Sequence, residues 1–327
     1  MKNVGIVALG KYLPERQLTN ADLERMVETS DEWITTRTGI KERRIAAAGE
    51  KTSDLAVKAA LDALKNAPVK AEDIEAIIVA TVTPDGPFPS VACLVQKGIG
   101  NHKAFAFDVN AVCSGFLYAM TTAKQFIATG MVKNALVVAA DRFSTLVDWK
   151  DRNTCVLFGD GAGAAVLAPV EEGGILADFL TANGEGASLM YVVSETSRTP
   201  CDQALEVGRL PYIVMHGQEL FKHAVPGMAE AVDIAARRAG VALEDIKCVV
   251  PHQANDRIIA SVAKRAGVDK ERFFINIDKY GNISAASVVV ALCEAVEEGR
   301  IKKGDKIALT VFGAGLVAAA NIVEWSY

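Results

Sequence analysis

Histidine is scarce in this chain, with only His102, His216, His223 and His252 among 327 residues. A reaction that needs an imidazole has four candidates and no more. The six cysteines, Cys93, Cys113, Cys155, Cys201, Cys248 and Cys293, are scattered and form no CxxC pair. No group of His and Cys has ligand spacing, which argues against a zinc site. Reduced thiols in a cytoplasmic chain are the simpler expectation. No apolar run approaches the roughly 18 residues of a membrane span. The opening stretch MKNVGIVALGKYLPERQ has too short an apolar patch for a signal-peptide core and reads as a first β-strand. Basic charge is not in excess either. The net charge is −5, so the surface as a whole carries no nucleic-acid signal. Neither GDGAGAA (159–165) nor FGAG (312–315) is a GxGxxG that follows a first strand and opens a helix. No Walker lysine is present, so dinucleotide and P-loop readings rank low.

Apolar residues, in contrast, make up half of the chain. That is enough for two domain-sized units or one large layered body. Strand-like runs recur at 4–10, 76–82, 104–109, 135–140, 163–170, 248–252, 273–277, 307–313 and 317–325. Helical periodicity separates them at 53–67, with Ser53 a candidate N-cap, and at 228–240 and 258–267. Alternation of this kind predicts a layered α/β fold with largely buried strands.

Parts of the pattern occur twice. AEDIEAIIVATVTPD (71–85) resembles LEDIKCVVPHQAND (243–256), and GAGAAVLAPVEE (161–172) resembles GAGLVAAANIVEW (313–325). CSGFLYAMTTAKQFIATGMVK (113–133) pairs more loosely with NISAASVVVALCEAVEEGRIK (282–302). The expectation is a duplicated α/β half, 1–173 and 174–327. The duplication sets Cys113 opposite Asn282, each at the start of a predicted helix, and so suggests a pocket between the halves.

A lone cysteine is usually an inert core thiol. At a helix start, backbone N–H groups favour thiolate and lower the thiol pKa, and small Ser114 and Gly115 allow close approach. His252 follows an apolar strand and a proline in VVPHQAND (249–256) and is the best placed of the four histidines, although a structural role is at least as common. His102 and His223 lie in surface-like surroundings, whereas His216 stays open. Asn282 in KYGNISAAS (279–287) could equally be an ordinary N-cap, with Ser284 beside it. Cys, His and Asn in this order also occur in papain-like proteases, and the separation 252 − 113 = 139 fits them. Their tryptophan-containing signature around the cysteine is missing, and the duplicated halves do not suit them.

TSDEWITTRTGIKERRI (29–45), DVNAVCSGF (108–116), FGDGAGAAVL (158–167), HQAND followed by Arg257-Ile258, YGNISAAS (280–287) and FGAG together resemble the β-ketoacyl-acyl carrier protein synthase III family of the thiolase superfamily. The resemblance runs nearly end to end. It implies two pseudo-symmetric βαβαβ-type halves in five layers (α-β-α-β-α) and a homodimer. It implies a decarboxylating Claisen condensation that initiates fatty acid synthesis, with no metal or redox cofactor. Cys113 would accept an acyl group from acyl-CoA, with the N–H groups of Cys113 and Ala314 as oxyanion hole. His252, neutral through burial, and Asn282 would then steady the enolate of malonyl-acyl carrier protein as it loses CO₂. Trp33 and Arg152 would sandwich the adenine of CoA, with Thr29 and Arg37 nearby. Lys222, Arg257 and Lys264 would face the acidic carrier protein. Phe88 would reach into the partner subunit's acyl pocket, and Met215 would line such a pocket. Gln218, the stretch LVAAAN (316–321) and segment 184–212 depart from the family's usual pattern and bear on the choice of primer. Two rival expectations stand beside this one. One is a pathway-specific relative that makes a polyketide or quinolone precursor. The other is a catalytically silent acyl-binding scaffold of the same fold, against which the intact trio of residues argues.

Overall fold

Strand-forming, largely buried runs assemble into two main sheets in the computed structural model, which describes residues 2–192 and 212–327. The first sheet contains β1 (Val4–Tyr12), β2 (Ala76–Ala80), β3 (Phe105–Val109), β4 (Ala135–Arg142) and β5 (Asp160–Pro169), in the order β1-β5-β4-β2-β3. The second contains β6 (Gly174–Thr181), β7 (Cys248–Pro251), β8 (Lys306–Gly313) and β9 (Val317–Glu324), in the order β7-β8-β9-β6. The neighbour relations repeat. β2 runs parallel to β4, and β5 lies antiparallel between β4 and β1. Likewise β7 runs parallel to β8, and β9 lies antiparallel between β8 and β6. The internal repeat read in the sequence is therefore a repeat of topology.

Six helices complete five layers: α1 (Thr52–Lys65), α2 (Val91–Gly98), α3 (Gly115–Ala128), α4 (Gly217–Ala239), α5 (Asp256–Ala266) and α6 (Ala286–Glu297). Helices α3 and α6 share one core with the inner faces of both sheets. Every residue from Ala286 to Ala295 is buried, as expected of a helix that is apolar around most of its circumference. Helices α1 and α2 cover the outer face of the first sheet, and α4 and α5 that of the second. Cys113 and Asn282 precede the two central helices, so the layering brings both to the middle of the molecule.

Four local expectations need correction. Segment 273–277 is no strand. Phe273 makes a single parallel bridge to Val249, and a helical turn starts at Ile277. The side chain of buried Gln253 serves this segment instead, donating to the Phe274 carbonyl at 3.1 Å and accepting from the Asn276 N–H at 3.1 Å. The fifth strand thus survives only in the first half. Ser53 lies inside α1 rather than capping it. Its N–H and hydroxyl both donate to the Asp85 carboxylate, at 2.9 and 2.6 Å. Helix α4 begins at Gly217, eleven residues before the predicted start, and passes through Pro226. Gly227 follows, where a Cβ would sit 3.2 Å from the Phe312 ring, so the glycine lets the helix lie close on β8. Finally, Asn282 does not cap α6, whose first turn is preceded by Ala285.

Candidate active site

Cys113 lies on a single 3₁₀ turn, Val112–Ser114, that feeds α3. Val112 is held at φ 48°. Two other non-glycine residues among those described take positive φ, Ser284 at 54° and Leu316 at 49°. One adjoins the thiol, one follows Asn282 by two residues, and one closes the FGAG turn. Such conformations cost of order 1–3 kcal/mol each and persist where the surroundings impose them. Here they surround the candidate site. Gly313 completes the approach, since a Cβ there would come within 3.0 Å of the Cys113 nitrogen.

Asn282 is gripped from the other half of the chain. Its N–H donates to the Leu157 carbonyl at 2.9 Å, and its carbonyl accepts from the Gly159 N–H at 3.0 Å. Gly281 makes this grip possible: its φ of 65° suits glycine, and a Cβ would lie 2.8 Å from the Leu157 oxygen. The Asn282 Oδ1 accepts from the Ser284 N–H at 2.9 Å. That bond fixes the amide so that Nδ2 is the atom left to donate. His252 stands just past β7, with its N–H donated to the Thr310 carbonyl of β8 at 2.7 Å. The ring is buried, and burial alone drives its pKa down to about 4. The imidazole is therefore neutral at pH 7. Its Nδ1 is buried without a hydrogen-bond partner among the described residues. A proton on Nε2 avoids leaving a buried N–H unpaired.

The thiol departs from the expectation for a helix start. Cys113 is 3% exposed, and burial pushes its pKa up to about 12, against a small opposing effect of the Ser284 hydroxyl. The resting sulfur is a protonated thiol. The helix sits one turn too late, and the site is too dry, for thiolate to form unaided.

Cys113, His252, Asn282 and Met215 line one cavity of about 150 Å³, together with Phe158, Phe312 and Gly313. Leu157, Met215, Gly217, Phe221 and Asn255 are shared with an outer cleft of about 760 Å³. Trp33, Arg37, Gln218, Lys222 and Arg257 line that cleft. Asn255 ties its walls together, capping α5 at Arg257 and donating to the Arg37 carbonyl at 3.0 Å. The cleft and cavity form an amphipathic channel that ends at a thiol.

The remaining candidates are placed less centrally. Arg152 lies over the Trp33 ring at 5.1 Å, and Arg37 lies near it at 5.7 Å. A base between Trp33 and Arg152 needs two van der Waals spacings, roughly 7 Å. Arg152 must swing outward to admit one. Thr29 lines neither the cavity nor the cleft, and its Oγ1 is buried without a hydrogen-bond partner among the described residues. Ala314 faces an adjoining cavity of about 250 Å³ beside Val112, Phe143 and Met190, not the cavity of Cys113. Lys264 is exposed on α5, two turns beyond Arg257 and outside the cleft. Phe88 is 85% exposed at the surface. Leu316 of LVAAAN packs over Gly186, and Asn321 is buried against Asp178. Positions 193–211 of segment 184–212 lie outside the described residues. The sequence reading missed Phe158 and Phe312, which line the cavity of Cys113 and lie inside stretches already singled out.

Two α/β repeats that enclose a thiol, a neutral imidazole and a carboxamide define a condensing enzyme of the thiolase fold. Family models for the 3-oxoacyl-[acyl-carrier-protein] synthase III domain and its C-terminal domain match residues 107–184 and 236–325. The chain is 53% identical to a β-ketoacyl-[acyl-carrier-protein] synthase III of Caldanaerobacter subterraneus over 323 residues, 98% of each chain. It is 51% identical to the one of Clostridioides difficile over 322 residues, again 98% of each. The solved structure of the Thermus thermophilus synthase III superposes with a TM-score of 0.94 at 48% identity, covering 98% of this chain and 99% of that one. A priming β-ketosynthase from the R1128 polyketide pathway superposes at 0.93 with 33% identity, covering 99% and 97%. The chain belongs to the β-ketoacyl-acyl carrier protein synthase III family.

Proposed function

We infer that the chain initiates fatty acid synthesis by condensing an acyl-CoA primer with malonyl-acyl carrier protein, through an acyl thioester on Cys113. The observation that carries this is the single cavity shared by Cys113, His252 and Asn282 at the end of a channel. The polyketide reading is the weaker one, because relatives at about half identity are synthases III whereas the polyketide enzyme stands at 33%.

In the first half-reaction the Cys113 sulfur attacks the thioester carbonyl of the primer. The S–C bond to Cys113 forms, the bond to the CoA sulfur breaks, and the leaving thiolate takes a proton from water. Backbone N–H groups at Cys113 and Ala314 hold the oxyanion in our reading. In the second, malonyl-acyl carrier protein loses CO₂. The electron pair of the broken C–C bond becomes an enolate, whose oxygen accepts hydrogen bonds from His252 Nε2 and Asn282 Nδ2. A neutral donor suits this step, since a buried imidazolium would cost far more than it returned. The carbanion attacks the acyl carbon, and Cys113 leaves. The electrons come from the carboxylate, so no metal or redox cofactor takes part.

Trp33, Arg37 and Arg152 receive the adenine end of CoA, with Thr29 behind them. Lys222, Arg257 and Lys264 present positive charge to the carrier protein. Phe88 is the exposed apolar residue best suited to insert into a partner subunit of a homodimer, and Met215 lines the acyl path. No helix among the described residues is long and apolar enough to cross a membrane, and the cytoplasm is the compartment we propose, with no nucleic-acid partner. Intact-protein mass spectrometry after incubation with acetyl-, isobutyryl- or butyryl-CoA tests the reading. One acyl mass should appear on the wild type and vanish in Cys113→Ala. A label that survives Cys113→Ala would overturn it.

A further inference from the structure

Among the described residues Arg43 is the only buried arginine or lysine, and none of its surface is exposed. Its hydrogen bonds among those residues all end on neutral acceptors. Nε donates to the Val156 carbonyl at 3.0 Å, Nη2 donates to the same oxygen, and Nη1 donates to Asn20 Oδ1 at 2.5 Å. Burial lowers its pKa only to about 10, so the guanidinium stays charged at neutral pH. A buried charge held by neutral partners is costly, and an apolar side chain of similar volume would fill the space at less cost. Packing alone does not explain Arg43.

What the side chain holds is the backbone behind Asn282. Val156 leads directly into Leu157, whose carbonyl accepts from the Asn282 N–H, and Gly159, whose N–H donates to the Asn282 carbonyl. The stem of Arg43 fits the same grip. A Cβ on Gly159 would lie 3.2 Å from the Arg43 Cβ, and one on Gly281 would lie 3.1 Å from the Arg43 Cγ. Both glycines that flank the Asn282 backbone thus leave room for this one side chain. At its far end, buried Asn20 spends its amide on two sides. Oδ1 takes the guanidinium, while Nδ2 donates to the Asp31 carboxylate at 2.7 Å and to the Ile40 carbonyl at 2.8 Å. Asp31 opens the helix Asp31–Thr38, which carries Trp33 and Arg37 into the outer cleft. A planar fork that reaches two partners at once is particular to arginine, since lysine offers a single point donor.

We propose that Arg43 is the positioning residue of Asn282: it pins the Val156 carbonyl, and with it the segment that grips Asn282 and sets where Nδ2 donates, while Asn20 anchors the guanidinium to the helix of Trp33 and Arg37. Arg43 lines neither the cavity of Cys113 nor the outer cleft, so it acts through Asn282 and not on substrate. Its influence falls on the step that uses the carboxamide. In the reading above that step is the condensation with malonyl-acyl carrier protein, not the acylation of Cys113, and the inference rests on that reading. A donor displaced by about 1 Å can slow such a step by about 10²-fold.

The test separates the two half-reactions in the purified full-length protein by quenched intact-mass spectrometry. Acylation is the gain of one acyl mass from saturating acyl-CoA, with whichever of acetyl-, isobutyryl- or butyryl-CoA labels the wild type fastest. Condensation is the loss of that mass once saturating malonyl-acyl carrier protein is added. Arg43→Lys keeps the charge and loses the fork. It should slow condensation by roughly tenfold or more and leave acylation within about threefold of the wild type. A merely structural role would lower the fraction of chains that take the label, not the ratio of the two rates in the chains that do. Arg43→Lys with both rates unchanged, or slowed alike, would overturn the positioning role. If Arg43→Lys does not fold, Asn20→Ser decides, because it leaves both bonds to Val156 and frees the guanidinium at its far end. The same excess loss of condensation supports the role, and equal changes overturn it. Asn282→Ala serves as the reference. A wild type that takes no label, or an Asn282→Ala that condenses normally, overturns the reading of the site itself. Slow condensation in Asn282→Ala beside a normal Arg43→Lys overturns the role of Arg43 alone.

Discussion

Acid should unfold this protein partly through one buried ring. His252 holds a pKa of about 4 in the folded chain because burial disfavours the imidazolium. In the unfolded chain it returns to about 6.5. Between those values the unfolded state binds a proton that the native state does not. Stability is therefore lost as the pH falls through 6.5 towards 4. Summed over both states, the group costs about 0.2 kcal/mol at pH 7 and about 2 kcal/mol at pH 5. The perturbation is His252→Gln, which removes the titration and keeps a hydrogen-bonding side chain at the site. The assay is urea unfolding at pH 7 and pH 5, at one protein concentration, with free energies extrapolated to water. Between the two pH values the wild type should lose roughly 2 kcal/mol more than the variant. Carboxylates such as Asp141 titrate in both proteins and cancel in the difference. Equal losses, within about 0.5 kcal/mol, would refute the claim that His252 is neutral because it is dry.

Three further outcomes follow from the same geometry. Asp141→Asn should stabilise the protein at pH 7 by about 2–3 kcal/mol and not at pH 3, because a pKa raised to about 6 gives stability that is lost as pH rises through that value; thermal melts at both pH values check it. Gly281→Ala should lower stability by about 1–3 kcal/mol and displace Asn282, since its φ of 65° disfavours a side chain and a Cβ would meet the Leu157 oxygen. Condensation should then fail more than acylation, which separate assays of the two half-reactions would show. Trp33→Ala should raise the KM for acyl-CoA about tenfold or more with kcat nearly unchanged, the pattern of lost uniform binding. An unchanged KM would remove Trp33 from the nucleotide site.

Much of this architecture could be read from residues alone, for identifiable reasons. Strands such as 76–80 and 135–140 are apolar on both faces because helices cover both, and continuous runs are easy to see. Cys113, His252 and Asn282 each sit where a strand or turn delivers a polar group into an apolar layer. What was illegible depends on partners distant in sequence. Segment 273–277 has strand composition, yet its hydrogen bonds go to the Gln253 side chain. The start of α4 is masked by Pro226 and Gly227, whose fit against Phe312 is a tertiary matter. Ser53 has the composition of an N-cap, but Asp85 takes its hydrogen bonds.

The three strained backbones at Val112, Ser284 and Leu316 bear on attempts to make this enzyme heat-tolerant. Screens for higher melting temperature reward glycine where the chain is forced into left-handed φ, and these positions offer three such gains. All three lie in the loops that present the thiol, the carboxamide and the FGAG turn. A thermostable lineage would be drawn to them early and would trade turnover for melting point at each step. Selection on acyl transfer would hold the same positions fixed against that pull.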